Sequence, residues 1–317
     1  MEQCPPEIWL RIFNQACIDG GRTGASLSSV SRDFNRVSAE VRYQSVALHG
    51  LSRMRAFAAT LESTPHALRR VRHLYISYRD PPPIEAEGKG IGSPQSLQLQ
   101  ESQRRTDEAW QCVDGINELL TRVLTVVSET LKTLTLVVID CRSFPLSPVP
   151  LPNLVELTLY GAHDVYFWEL HLEGYVCQES VPTMVDLTPN LTHLRLSKLE
   201  QAFFLPSIIQ TVVAKLHARK MTQSCHASMS SSSTTTLVPQ QILIQPRPPL
   251  RWGCGNAAGR HGRVMAELMT AVRNDTHRMT VLLDSQPDPC GDELDQDAKD
   301  FWLDRIIGGP GCWVGHH

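Results

Sequence analysis

The sequence predicts an α/β chain: a short all-helical N-terminal module, then an irregular α/β solenoid. Three observations carry that expectation. Near the N-terminus, apolar residues recur at spacings of three and four, the period of helices that bury one side. Downstream, a six-residue pattern, apolar-x-x-Leu-x-apolar, occurs four times. Between its copies lie stretches of helical periodicity, so strand and helix alternate. The boundary implied divides the chain into a helical module at 1–48 and a repeat-like domain at 49–317. Two Pro/Gly/Ser/Gln- and Ser/Thr-rich stretches, near 80–103 and 222–238, read as disordered insertions in the second part.

The helical module begins at Cys4-Pro5-Pro6-Glu7. Proline is favoured at the start of a helix because its missing N–H would be unpaired there anyway. Ile8, Trp9, Ile12, Phe13 and Ala16 then form one apolar stripe, with Glu7, Arg11 and Gln15 off it. Asp19-Gly20-Gly21 breaks the chain. A second helix is expected from about Ser26, as N-cap, through Val41, with Leu27, Val30, Phe34 and Val37 on its stripe. Two helices of this length bury little between themselves, so each stripe needs a further surface. That surface is either the rest of this chain or a partner.

The four pattern copies are Val71 to Ile76, Leu131 to Leu136, Leu154 to Leu159 and Leu191 to Leu196. Strand alternation puts Leu134/Leu136, Leu157/Leu159 and Leu194/Leu196 inward and displays Thr135, Thr158, Tyr160, Arg195 and Ser197 outward, as a candidate substrate-binding face. Two copies follow Pro-Asn, a turn signal. The copies lie 60, 23 and 37 residues apart, a ragged period. The pattern resembles the strand half of degenerate leucine-rich repeats, which implies parallel strands lining a curved face; any α/β protein with Leu-rich strands is the other reading. Helices are expected over 104–130, 206–220 and 263–273, and strands over 241–245 and 279–283.

Composition narrows the function classes. With 30 basic and 33 acidic residues, net −3, the chain has no general basic field for nucleic acid. No apolar run reaches the ~18 residues of a membrane helix, and Met1 to Pro5 lacks the features of a secretory leader, so a cytoplasmic or nuclear address is expected. The nine cysteines include no C-x-x-C and never assemble four ligands of usable spacing, so no metal is expected. Gly253 to Gly259 has a dinucleotide-like glycine pattern but lacks the flanking strand and the acid about 20 residues on, so it reads as a loop and no cofactor is expected. Hydrolase and NTPase signatures are absent, and His73, His193 and His277 read as ordinary histidines in or beside strands, so no catalytic residue is assigned. Residues 281–317 hold 8 acidic and 2 basic residues, which reads as a polar C-terminal cap.

One resemblance bears on function. Pro-x-Glu-Ile-x-x-x-Ile-Phe, a turn, and then Leu-x-x-Val-Ser-Arg-x-Phe is similar to the F-box, matching at Pro5, Glu7, Ile8, Ile12, Phe13, Leu27, Val30, Ser31 and Arg32. Cys4 stands where that family usually has Leu, Phe34 where it usually has Trp, and the turn from Asp19 to Ala25 is a few residues long. The tail from Phe301 to Trp313 resembles the ending of F-box proteins with degenerate leucine-rich repeats from mushroom-forming fungi. The resemblance implies a non-enzymatic, substrate-recruiting subunit of a cullin-based ubiquitin ligase. It would bind a Skp-type adaptor through Pro5, Ile8, Trp9, Ile12, Phe13, Leu27, Val30 and Phe34, and an unknown protein substrate through the repeat face. The alternative is an interaction scaffold whose helical head folds back on the repeats and never meets a ligase.

Overall fold

The computed structural model describes residues 4–79, 115–139, 149–161, 184–199, 210–218, 241–247, 256–275, 279–284 and 291–313. Three helices open the chain: α1 (Pro6–Ala16), α2 (Arg22–Val30) and α3 (Arg32–Ser38). Seven strands follow: β1 (Ser45–His49), β2 (His73–Arg79), β3 (Thr133–Ile139), β4 (Glu156–Tyr160), β5 (His193–Leu199), β6 (Gln241–Pro246) and β7 (Thr280–Leu282). Helices lie between them: α4 (Gly50–Ser63), α5 (115–127), α6 (Met184–Leu187), α7 (210–218) and α8 (Asn256–Asn274). The last helix is α9 (Gly291–Ile306), followed by a 3₁₀ turn at Gly311–Trp313.

All seven strands form one parallel sheet in sequence order, β1 to β7. The four pattern copies become β2 to β5 and their leucines align: Leu74, Leu134, Leu157 and Leu194 are successive Cα partners, as are Ile76, Leu136, Leu159 and Leu196. Val46 and Leu48 of β1 and Ile242 and Ile244 of β6 extend both rows. The turns are laddered too. The Asn153 side-chain amide donates to the Glu129 carbonyl at 2.6 Å, and that of Asn190 to the Pro152 carbonyl at 2.7 Å, so each Pro-Asn turn is tied to the turn before it.

The aligned rows make one face of the sheet almost wholly Leu, Ile and Val. Connections of one hand between strands in sequential order return on the same side. Met54, Phe57 and Leu61 of α4, Ile116, Leu120 and Val123 of α5, Leu216 of α7 and Val264 and Leu268 of α8 accordingly join these rows in a single core. The other face is covered by α9 and the turn after it. Asp295 sits at β1–β2, Trp302 beside Tyr75 and Tyr160, Arg305 at β4, and Cys312 and Trp313 against Leu243 of β6. The C-terminal segment thus crosses the sheet.

That crossing corrects two expectations. Thr135, Thr158, Tyr160, Arg195 and Ser197 are not displayed but buried. They do point away from the Leu rows, as alternation requires; the face they share is roofed by α9, which strand periodicity cannot report. The acidic stretch read as an end cap is the roof itself.

Four local expectations also change. The second helix of the head is two: Ser31 is extended (φ −161°, ψ 167°), and its hydroxyl accepts the Phe34 N–H at 3.2 Å, capping α3. α2 starts at Arg22 and not at Ser26, because the Asp19 carboxylate accepts both the N–H (2.8 Å) and the hydroxyl (2.7 Å) of Thr23. Residues 256–259, read as a loop, open α8. The boundary set at 48 falls inside β1, whose Ser45 already pairs with His73. The expected insertions near 80–103 and 222–238, with His277 and residues 104–114 of the expected helix, lie outside the described residues.

Candidate functional site

The head is organised around three rings. Trp9 and Phe13 of α1 and Phe34 of α3 stack pairwise with centroids 5.6, 5.3 and 5.4 Å apart, and tilted rings at that spacing attract through their quadrupoles. Leu10, Leu27, Val37, Cys17 and Val41 close the cluster. Gly24 lies against the Arg42 backbone, where a Cβ would collide with its carbonyl, so α2 can approach only because it carries glycine there. Burial, reinforced by the Asp19 charge, lifts the Cys17 thiol to about 11, which leaves it an unreactive packing group.

Polar contacts join the head to the sheet. The Ser45 hydroxyl accepts from the Gly20 N–H at 3.0 Å and donates to the Cys17 carbonyl at 2.9 Å. The Gln44 amide donates to the Asn14 carbonyl at 3.1 Å, and the Ala47 N–H to the Gly20 carbonyl at 3.2 Å. Each contact satisfies buried or part-buried backbone that a mobile hinge would leave to water.

The expected adaptor-binding residues separate into two groups on this scaffold. Ile8 is 42% exposed, Ile12 48% and Val30 62%, and Pro5 is exposed as well. Ile8 and Ile12 sit four apart on α1 and so share a side. Phe13 is 3% exposed, and Trp9, Leu27 and Phe34 are half-buried against it. Phe13 therefore packs the head and is not part of its surface. The stripe is backed by rings of the head itself, and its outer side at Ile8 and Ile12 is exposed among the described residues.

The second face of the sheet holds the densest polar network among the described residues. Glu156, buried on β4, accepts from Arg305 Nε at 2.9 and 3.0 Å and from Trp313 Nε1 at 3.1 Å. Arg195 on β5 donates to the Ser197 hydroxyl (2.7 Å), the Cys312 carbonyl (2.5 Å) and Gln245 Oε1 (3.2 Å), with its guanidinium over the Tyr160 ring at 5.6 Å. At the β1–β2 end the Tyr75 hydroxyl donates to Asp295 Oδ1 at 2.6 Å. His49 bridges Asp295 (3.2 Å) and the Lys299 ammonium (3.1 Å). The ammonium can only donate to Nε2, so Nδ1 carries the proton facing Asp295. Burial alone would raise the Asp295 carboxyl, but hydrogen bonds from His49, Ser77 and Tyr75 hold it at about 2. Burial, with Arg72 and Lys132 nearby, pushes His73 down to about 4, and burial also lowers His193, which lies edge-on to Trp313 at 4.9 Å.

The space left under α9 is about 10 Å³, room for roughly one water. The Tyr160 hydroxyl and Trp302 Nε1, on residues lining it, have no hydrogen-bond partner. No group of three or more His, Cys, Asp or Glu side chains converges as a metal site among the described residues, and no helix there is long and apolar enough to cross a membrane. Sequence reasoning missed Glu156, Arg305, Tyr75 and Asp295. Glu156 carried a signal, since a carboxylate at the root of an otherwise buried strand demands a partner. Comparisons with protein-family models, curated proteins and solved structures find no match to the chain.

Proposed function

We propose that the chain is a substrate-recruiting subunit of a Skp-cullin-type ubiquitin ligase, with α1–α3 as the adaptor-docking module. The observation that carries this reading is the head: at the positions that resemble the F-box, Ile8, Ile12 and Val30 stand exposed on helices fixed from behind by Trp9, Phe13 and Phe34. Exposed apolar anchors on a preorganised backbone are what an interface core needs, since little ordering cost remains at binding. The sheet supports a leucine-rich-repeat-like solenoid in the same reading, through its sequential strand order, in-register Leu rows and Asn turn ladder. Transfer of ubiquitin belongs to other subunits, so no residue is assigned a catalytic role. The setting is cytoplasm or nucleus.

Co-purification of the full chain with a Skp-type adaptor tests the proposal. The parent chain retains the adaptor; Ile12→Asp, on the exposed stripe, loses it while keeping its circular dichroism spectrum. Absence of binding by the parent chain sinks the idea. A non-ligase scaffold is the second reading, favoured by one observation, that α9 closes the face expected to take substrate.

A further inference from the structure

The two faces of the sheet are covered by helices but built differently. On the first, partners across the strands are Leu, Ile and Val at nearly every position, Tyr78 and Thr280 being the exceptions. On the second, the rows read Ser45–His73–Thr133–Glu156–His193–Gln241, Ala47–Tyr75–Thr135–Thr158–Arg195–Leu243–Val281 and His49–Ser77–Val137–Tyr160–Ser197–Gln245. They are polar at most positions, with Ala47, Val137, Leu243 and Val281 as the aliphatic exceptions. Parallel strands that stay buried on both sides are near-continuously hydrophobic, whereas alternation of apolar and polar residues, broken here at Val137 in β3 and Leu243 in β6, is the pattern of a face turned to water. The covering is also imperfect where it matters, because under α9 the Tyr160 hydroxyl and Trp302 indole N–H are buried with no partner. Such orphaned groups recover hydrogen bonds when the cover lifts.

The cover has a definite chemistry. Its helix carries six acidic and two basic residues in sixteen, with one row of Leu294, Ala298, Trp302 and Ile306 at steps of four. It meets the face at three stations: an acid on Tyr75 and His49 at one end, an indole beside Tyr75 and Tyr160 in the middle, and a guanidinium on Glu156 at the other end.

We propose that the second face is a recognition surface for acidic amphipathic protein helices, and that residues 291–313 are its displaceable occupant in cis. The surface follows from the sheet alone. That its uncovering admits a ligase substrate rests on the function proposed above. The cis segment sets the selectivity of the site: a competing helix needs an acid, then an aromatic residue, then a cation, spaced as Asp295, Trp302 and Arg305 are. In the covered chain Arg195 and Glu156 are both engaged, so an incoming helix must displace the tail before it can bind.

The test uses the full chain and a fluorescein-labelled synthetic peptide with the sequence of residues 291–313. Asp295→Asn with Arg305→Gln in the chain weakens the cis contacts and leaves the face and the peptide unchanged. The proposal expects the peptide to bind this double variant at least about tenfold tighter than the parent chain, one decade in Kd. A peptide carrying Arg305→Glu should not bind either chain. Strand amides in the variant should keep their hydrogen-exchange protection while those of α9 lose it. Two results overturn the proposal: no peptide binding to a variant whose strands stay protected, or loss of strand protection together with α9, which would make the helix a permanent layer. Adaptor co-purification is read separately on the head, so either idea can fail without the other.

Discussion

The two faces of the sheet bury the same strands in different ways. The first is held by dispersion and apolar burial with almost no polar atoms. Leu134, Leu136, Leu157 and Leu159 contribute through contact alone, and the cost of trimming any of them is a cavity in a close-packed interior. The second is held at a few polar points, Glu156–Arg305, Tyr75–Asp295 and Arg195–Cys312, around a small aromatic cluster. An apolar face is tolerant of direction and costly to open. A polar one depends on geometry and can exchange its partners for water. The difference places the cooperative core on the Leu side and the separable layer on the α9 side.

The largest expected effect breaks the first face. Leu134→Ala should destabilise the chain by about 2–5 kcal/mol, measured as a shift in the denaturant midpoint with unchanged slope. Every strand should lose protection together. On the second face, Glu156→Gln removes the charge that holds Arg305. Because that arginine's side chain is 32% exposed, the full buried-pair penalty does not apply, and about 1–3 kcal/mol is expected. Hydrogen exchange should show that loss in α9 and the 311–313 turn while β2–β5 keep theirs.

Acid should also act on the second face. His73 titrates at about 4 when folded and at an ordinary 6.5 when unfolded, so the unfolded chain takes up the proton first. Stability is then complete above about 6.5 and falls as pH is lowered towards 4. Asp295, held at about 2 against an ordinary 3.8, adds a further loss below about pH 4. Denaturant midpoints at pH 7 and 4.5 should differ in the parent chain and differ less in His73→Gln. An equal pH dependence in that variant would remove His73 from the account. The smallest effect is Thr158→Val, whose hydroxyl has only a 4.0 Å contact to the Cys312 sulfur; it should change stability by less than about 1 kcal/mol.

How far the sequence could be read follows from the same contrast. β2 to β5 were legible because a period-2 Leu row is a one-face signal that burial enforces. β1 escaped because Tyr43-x-x-Val46-x-Leu48 has the same spacing without the leucine that marked the other copies. The apolar steps through Leu27, Val30, Phe34 and Val37 run straight across Ser31, so the break there depends on a cap and not on periodicity. On α9 the steps of Leu294, Ala298, Trp302 and Ile306 were present but thin among six acids, and nothing local tells which surface such a helix will cover. The outward direction of Thr135 and Arg195 was therefore readable and their burial was not. In the head, the stripe was readable, but its division into buried Phe13 and exposed Ile12 depends on where α3 places Phe34.

Equilibrium titration of the full chain with a purified Skp-type adaptor tests the docking proposed for the head most directly. The account predicts saturable one-to-one binding that Ile12→Asp weakens at least about tenfold, at a stability cost of no more than about 1 kcal/mol. Thr158→Val should leave that affinity unchanged. No binding by the parent chain, or equal binding by Ile12→Asp, would contradict it.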